Sequence, residues 1–165
     1  MNIVIIGCGR VGAFLAGLLD EDGHAVTVVD LERASFEHLP KSFKGSTLLG
    51  NGTDMDILRQ AGIESAEACF TLTQGDNRNL MAAQIAKEIF GVRRVIAKVN
   101  DPIRANLYRS QGLTTFSRTS ILGTLLQAML AEDPEVGKVL VEKALGHERR
   151  LAGESPAPTP AKASR

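Results

Sequence analysis

The chain has 165 residues, 44% of them apolar, with nineteen basic and nineteen acidic side chains. That is the length of one domain with a core of ordinary size, and the balanced charge excludes the basic surface of a nucleic-acid binder and the charged, apolar-poor composition of a disordered chain. Apolar stretches such as Ile3 to Ile6 and Ala25 to Val29 are far shorter than the roughly 20 residues that span a bilayer, and Asn2 begins a strand where a signal peptide would carry its basic region, so the expected address is cytoplasmic.

Strand and helix patterns alternate with short connections, the sign of an α/β fold with a parallel sheet. Strands are expected at 2–6, 25–30, 46–49, 68–72, 93–98 and 114–116, and helices at 10–22, 32–39, 54–61, 77–90 and 102–111. Gly23, Gly62, Gly91 and Gly112 each fall just past one of these helices, where a left-handed cap favours glycine. The runs NIVII and AVTVV are apolar almost throughout, as strands covered on both faces are, which makes them central. A doubly wound, Rossmann-like sheet of six strands in the order 3-2-1-4-5-6, with extra C-terminal helices, follows by analogy with other sheets of this kind.

After the sixth strand, Ile121, Leu122, Leu125, Leu126, Met129 and Leu130 recur at three- and four-residue steps. They form one apolar helical face, which either packs on its own sheet or docks across a dimer interface. A further helix pattern covers 135–145. From 152 onward, Pro156, Pro158 and Pro160 alternate with Ala and Thr, and a disordered tail is expected. The implied organisation is a nucleotide-binding unit over 1–131, a helical extension over 132–151 and a tail over 152–165.

The stretch VIIGCGRVGAF, residues 4–14, carries Gly7, Gly9 and Gly12 in the spacing G-x-G-x-x-G between a strand and a helix. In such a turn the first glycine makes the bend, the second admits a phosphate to the backbone and the third lets helix and strand lie close. Free N–H groups and the helix dipole then hold the anion. Asp30 ends the second strand, eighteen residues beyond Gly12, where a carboxylate accepts hydrogen bonds from ribose hydroxyls and repels a 2′-phosphate, so NAD, ADP or ATP is preferred over NADP. Arg10, in the first turn of the helix, adds a full charge and forked donors that suit a terminal phosphate.

Two more loops share this edge of the sheet. In GNGTDMD, Thr53 is placed to cap a helix with Asp56 three residues on; in TLTQGDNRN, Asp76 is placed to cap with Asn79. Capping accounts for both loops without a ligand, yet ligands of such sheets bind at the switch point between the first and fourth strands, so Thr71, Thr73, Asp76 and Asn79 are also candidates to line the site. Lys98, which ends the fifth strand, is more remote. Cys8 and Cys69 lack C-x-x-C spacing and read as buried apolar residues, and His24, His38 and His147 are too dispersed to hold a metal.

Residues 1–131 resemble the N-terminal nucleotide-binding domain of TrkA-type potassium-uptake regulators, the RCK or KTN domains. The resemblance rests on MNIVIIGCGRVGAFLAGLL, VTVVD followed by Arg33, GNGTD, TQGDNRNLMAAQIAKEIFGVRRVIAKVNDP and ANLYRSQG, in that order and spacing. It implies a regulator that binds NAD(H) or ATP/ADP, with Gly7, Gly9, Arg10 and Gly12 at phosphates, Asp30 at ribose, Arg33 nearby, and Asn51 and Thr53 near adenine. Val11, Leu31 and Gly52, their loop neighbours, complete the candidate site. It also implies a homodimer or ring in which the helix near 118–131 crosses to a neighbour, acting on a membrane-embedded potassium transporter or channel subunit. Lys98 stands where the family usually has arginine, and Arg118 where a proline commonly follows the sixth strand. Many relatives continue into a second, ligand-binding domain, whose function is not carried over here.

A regulatory subunit is thus the leading expectation, with no catalysis of its own. A nucleotide-sensing module for another transporter, such as a cation antiporter, is the nearest alternative. An NAD-dependent oxidoreductase is a third, but it needs a substrate-positioning region and an acid or base near the nicotinamide, for which the residues after the sixth strand offer little.

Overall fold

The structure, a computed structural model, describes residues 1–130. The expected helix at 135–145, the extension over 132–151 and the tail over 152–165 lie outside these residues. Six strands, β1 (Asn2–Ile6), β2 (Ala25–Asp30), β3 (Ser46–Leu49), β4 (Ala68–Thr71), β5 (Arg94–Lys98) and β6 (Thr114–Phe116), form one sheet in the order β3-β2-β1-β4-β5-β6. Every pairing is parallel. The helices are α1 (Arg10–Glu21), α2 (Met55–Gln60), α3 (Asp76–Gln84), α4 (Pro102–Ser110) and α5 (Arg118–Leu130). Among the described residues no helix is long and apolar enough to cross a membrane.

The central strand β1 shows why the order follows from the sequence. Val4 and Ile6 face one apolar cluster, with Leu58 of α2, Leu80 of α3 and Ala105 of α4. Ile3 and Ile5 face the other, with Ala13 and Ala16 of α1 and the half-buried Phe36. A strand that is apolar from Ile3 to Ile6 without a break must be covered on both faces, and β1 lies between β2 and β4 with a layer on each side. The four glycines past the helices all take left-handed φ, between 68° and 82°.

Three elements differ from the expected ones. The segment expected as a helix at 32–39 is a 3-10 helix, Arg33–His38, without a buried residue. The expected helix 77–90 is α-helical only to Gln84 and then widens into a π-helical turn, Ile85–Ile89, closed by the Phe90 N–H on the Ile85 carbonyl at 3.2 Å. The third concerns α5, none of whose residues is buried. Ile121, Leu122, Leu126, Met129 and Leu130 are exposed, so the apolar face does not pack on the sheet of its own chain. On the α1 side of the sheet, Phe70, Ile96 and Phe116 remain half-buried.

Candidate functional site

The turn between β1 and α1 is built as the glycine spacing requires. Gly7 has φ 107°, and a Cβ there would crowd the backbone of Leu72 and Thr73, 2.8 Å from the Thr73 nitrogen. A Cβ on Gly12 would collide with the Gly7 carbonyl oxygen, so α1 rests directly on the turn. Gly9 has the opposite character: a Cβ there would meet nothing within 4 Å. It is the N-cap of α1 and offers no side-chain cap, and no acidic residue stands in the first turn. The helix therefore presents uncapped N–H groups and the positive end of its dipole to open space.

Asp30 forms the facing lip. Its carboxylate accepts from the Cys8 N–H at 2.6 Å and from the Glu32 N–H at 2.9 Å, which fixes the end of β2 against the glycine turn. Burial, and secondarily the Asp30 charge, push the Cys8 thiol up to about 11. Such a thiol stays protonated and is not a nucleophile at neutral pH.

Between these lips lies a cleft of about 180 Å³ at the switch point between β1 and β4. Of the residues expected at a site, Gly7, Gly9, Asp30, Leu31, Gly52 and Thr73 line it. Gly52 is confined to glycine because any Cβ would strike the Ile6 side chain. Arg10, Val11, Gly12 and Arg33 stand beside the cleft rather than in its wall, Arg10, Val11 and Arg33 as exposed side chains. Asn51 and Thr53 are occupied with each other: Asn51 Oδ1 accepts from the Thr53 N–H at 3.1 Å and from its hydroxyl at 2.9 Å.

Both expected caps are corrected. The cap of α2 is Asp54, not Thr53; its carboxylate accepts from Asp56 N at 2.8 Å and from Ile57 N at 3.4 Å. At α3 the N-cap is Gly75, and Asp76 opens the helix. The Asp76 carboxylate instead accepts from the N–H groups of Asn100, at 3.0 Å, and Asp101, at 2.9 Å, tying the loop after β5 to that after β4.

Asn79 does not reach the cleft. It is fully buried; its oxygen accepts from the Thr73 N–H at 2.8 Å and the Thr73 hydroxyl at 2.7 Å, and its amide donates to the carbonyls of Thr73 at 3.0 Å and Lys98 at 2.9 Å. This side chain saturates its hydrogen-bonding capacity on Thr73 and the Lys98 carbonyl and sets the shape of the loop that carries Thr73. Thr71, at the end of β4, is buried, and among the described residues its hydroxyl has no hydrogen-bond partner. Lys98 is turned back onto the Leu72 carbonyl at 3.4 Å. Burial and then Arg118 hold its amine below the usual lysine range, against the opposing pull of Asp76.

The cleft wall also holds Glu32, Ser35, Gly50, Gln74 and Arg78, which sequence reasoning did not select. Gln74 and Arg78 flank the start of α3, Gln74 just before the Gly75 N-cap and Arg78 in the first turn.

The sequence from residue 3 to residue 118 matches the TrkA-N domain family. The chain is 49% identical over 115 residues to the Trk system potassium uptake protein TrkA of Streptomyces coelicolor, covering 70% of this chain and 52% of that protein. It is 30% identical over 148 residues to a TrkA homolog of Methanothermobacter thermautotrophicus, covering 89% of this chain and 66% of that one. It thus spans about half to two thirds of the length of these curated relatives. Among solved structures, GsuK bound to ADP superposes with a TM-score of 0.66 at 25% identity, over 78% of this chain and 33% of that one. The GsuK channel bound to NAD does so with 0.61 at 22% identity, over 74% and 22%. With the glycine turn, the acid at the end of β2 and the matched stretch running from β1 to the start of α5, the chain belongs to the TrkA-N domain family.

Proposed function

We propose that this chain is a non-catalytic regulatory subunit of a potassium uptake system. It binds NAD(H) or ATP/ADP in the cleft and alters the activity of a membrane-embedded potassium transporter or channel subunit when that nucleotide is exchanged. The observation that carries this reading is the uncapped N-terminus of α1 opening on free space at Gly9, with the Asp30 carboxylate on the facing lip. That is the chemistry a phosphate and a ribose require of a switch-point cleft.

The residues present fit such a ligand. Gly7, Gly9, Val11 and Gly12 would give backbone N–H groups and close approach to the phosphates, with Arg10 adding charge beside them. Asp30 keeps lone pairs free for ribose hydroxyls beyond its two backbone bonds. Leu31, Gly52 and Thr73 would wall the ligand, and Arg33, Asn51 and Thr53 would border the adenine. Thr71, Asp76, Asn79 and Lys98 would support the site from behind. The uncovered apolar face of α5 and the half-buried Phe70, Ile96 and Phe116 support assembly as a homodimer or ring, with α5 crossing to a second copy. The names of the relatives support an address at the cytoplasmic face of the membrane, reached through the transporter.

Nucleotide exchange can regulate only if two ligands differ in their affinity for two arrangements of the assembly. Calorimetric titration of the chain with ATP, ADP, NADH and NADPH tests the binding step. Replacing Asp30 by Ala is expected to weaken adenine nucleotides about 10- to 100-fold, the worth of hydrogen bonds to a charged group. Potassium flux through the partner transporter, reconstituted with this chain under each nucleotide, tests the rest. Equal flux in all nucleotide states, with binding and assembly confirmed, overturns the regulatory reading.

A further inference from the structure

We infer that Asn51 is a site of spontaneous covalent modification, at which the side chain cyclises onto the Gly52 nitrogen while Thr53 holds the oxygen on which charge develops. The loop after β3 carries the one Asn-Gly pair of the sequence. Glycine, without a Cβ, leaves its nitrogen least hindered toward the preceding side chain. The local geometry favours the same attack. Asn51 Oδ1 accepts from the Thr53 N–H at 3.1 Å and from the Thr53 hydroxyl at 2.9 Å. The ring closed by the first of these bonds runs through the Gly52 nitrogen, so the carboxamide is folded back along that peptide instead of extending into solvent. The Asn51 carbonyl is fixed by the Asp54 N–H at 2.9 Å, whereas among the described residues the Gly52 N–H has no acceptor. Asn51 is exposed, which admits water, and Gly52 lines the cleft.

The Gly52 nitrogen gives its proton to solvent and forms a bond to Asn51 Cγ. Negative charge then gathers on Oδ1, where two donors of Thr53 already point, the arrangement of an oxyanion hole. The bond from Cγ to Nδ2 breaks, and the amide nitrogen leaves as ammonia with protons from water. Water next opens the cyclic imide at either carbonyl. Attack at Cγ gives aspartate with the main chain unchanged; attack at the Asn51 main-chain carbonyl gives isoaspartate, with the Asn51 Cβ and Cγ taken into the backbone. The net reaction consumes one water and releases one ammonia. The two products differ in their effect on the loop. Aspartate keeps an acceptor for the Thr53 donors, as the Asp54 carboxylate does for Asp56 and Ile57. Isoaspartate lengthens the turn at Gly52, which packs so closely that a Cβ there would strike Ile6, and so displaces a wall of the cleft. This chemistry is independent of what the cleft holds.

The test is incubation of the full chain near neutral pH, with the tryptic segment Gly45–Arg59 followed by mass spectrometry and by chromatographic separation of aspartate from isoaspartate. Asn51 is expected to convert to both products while Asn2, Asn77, Asn79, Asn100 and Asn106 remain amides. The folded chain is expected to convert at least as fast as the isolated peptide 45–59. Thr53→Val, which removes the hydroxyl and keeps the N–H, is expected to slow conversion about 10-fold, the worth of one hydrogen bond to a charged oxygen. Thr53→Ser is expected to restore the parent rate. Circular dichroism of both variants before incubation checks the fold, and the comparison of parent with peptide stands without them. Conversion slower in the folded chain than in the peptide would show that the turn protects Asn51 and would overturn the site. An equal or faster rate in Thr53→Val, or a Thr53→Ser variant as slow as Thr53→Val, would overturn the role of the Thr53 hydroxyl.

Discussion

Replacing Asn79 by Ala separates a brace from a ligand contact. The side chain makes four hydrogen bonds of 2.7–3.0 Å, three to Thr73 and one to the Lys98 carbonyl, from a fully buried position. At about 1 kcal/mol net for each bond the loss is about 4 kcal/mol, and polar groups left unpaired in the interior raise it further. Against the 5–15 kcal/mol by which a typical domain is stable, the variant is expected to be folded but marginal. Urea unfolding followed by circular dichroism would read this as a fall in midpoint of about 2 M for an m-value near 2 kcal/mol/M. Asn79→Asp should be no milder, because the carboxylate keeps the acceptors but cannot donate to the two carbonyls. A loss below about 1 kcal/mol at unchanged m would refute the brace. So would a variant of normal stability that fails only to bind nucleotide.

Two further outcomes follow from other parts of the molecule. Leu122 and Leu126 are 52% and 56% exposed, so changing both to Gln should lower the mass seen by light scattering while the far-ultraviolet spectrum stays that of a folded α/β domain; unfolding, or an unchanged oligomer, would show that α5 is not an interface. Burial pushes the Cys69 thiol from 9.0 up to about 12, so above pH 9.0 the unfolded chain releases a proton that the folded one retains. Stability should then fall with rising pH by about 1.4 kcal/mol per unit on account of Cys69. Cys8 acts in the same direction, whereas the lowered Lys98 acts in the opposite one, favouring the folded state as pH rises toward 10.5. The difference in slope between the parent and Cys69→Ala, from urea midpoints at pH 8–10.5, isolates the Cys69 share, and equal slopes would refute it.

The order of elements was legible from the chain alone because each rests on a local rule. Runs such as NIVII and AVTVV can be buried only as central parallel strands, and their observed bounds, Asn2–Ile6 and Ala25–Asp30, are those the runs imply. The glycine turn and Asp30 were legible together because one crossover brings the ends of two adjacent strands side by side. The conversion of residues 85–89 to a π turn was not, since no glycine or proline marks it. Nor were the roles of Asp76, Asn79 and Arg78, because a polar residue near a helix start has both a cap and a distant backbone within reach, and the choice depends on which strand lies next door. Once β5 pairs with β4, Asp76 reaches Asn100 and Asp101, Asn79 reaches Lys98, and Arg78 is left facing the cleft. The apolar periodicity of 118–130 was plain in the sequence, but whether that face is covered is a property of the assembled sheet, which leaves it open to a partner. Sequence fixes the elements through short-range sterics and burial; long-range pairing assigns the polar side chains, because their partners lie six to twenty-five residues away.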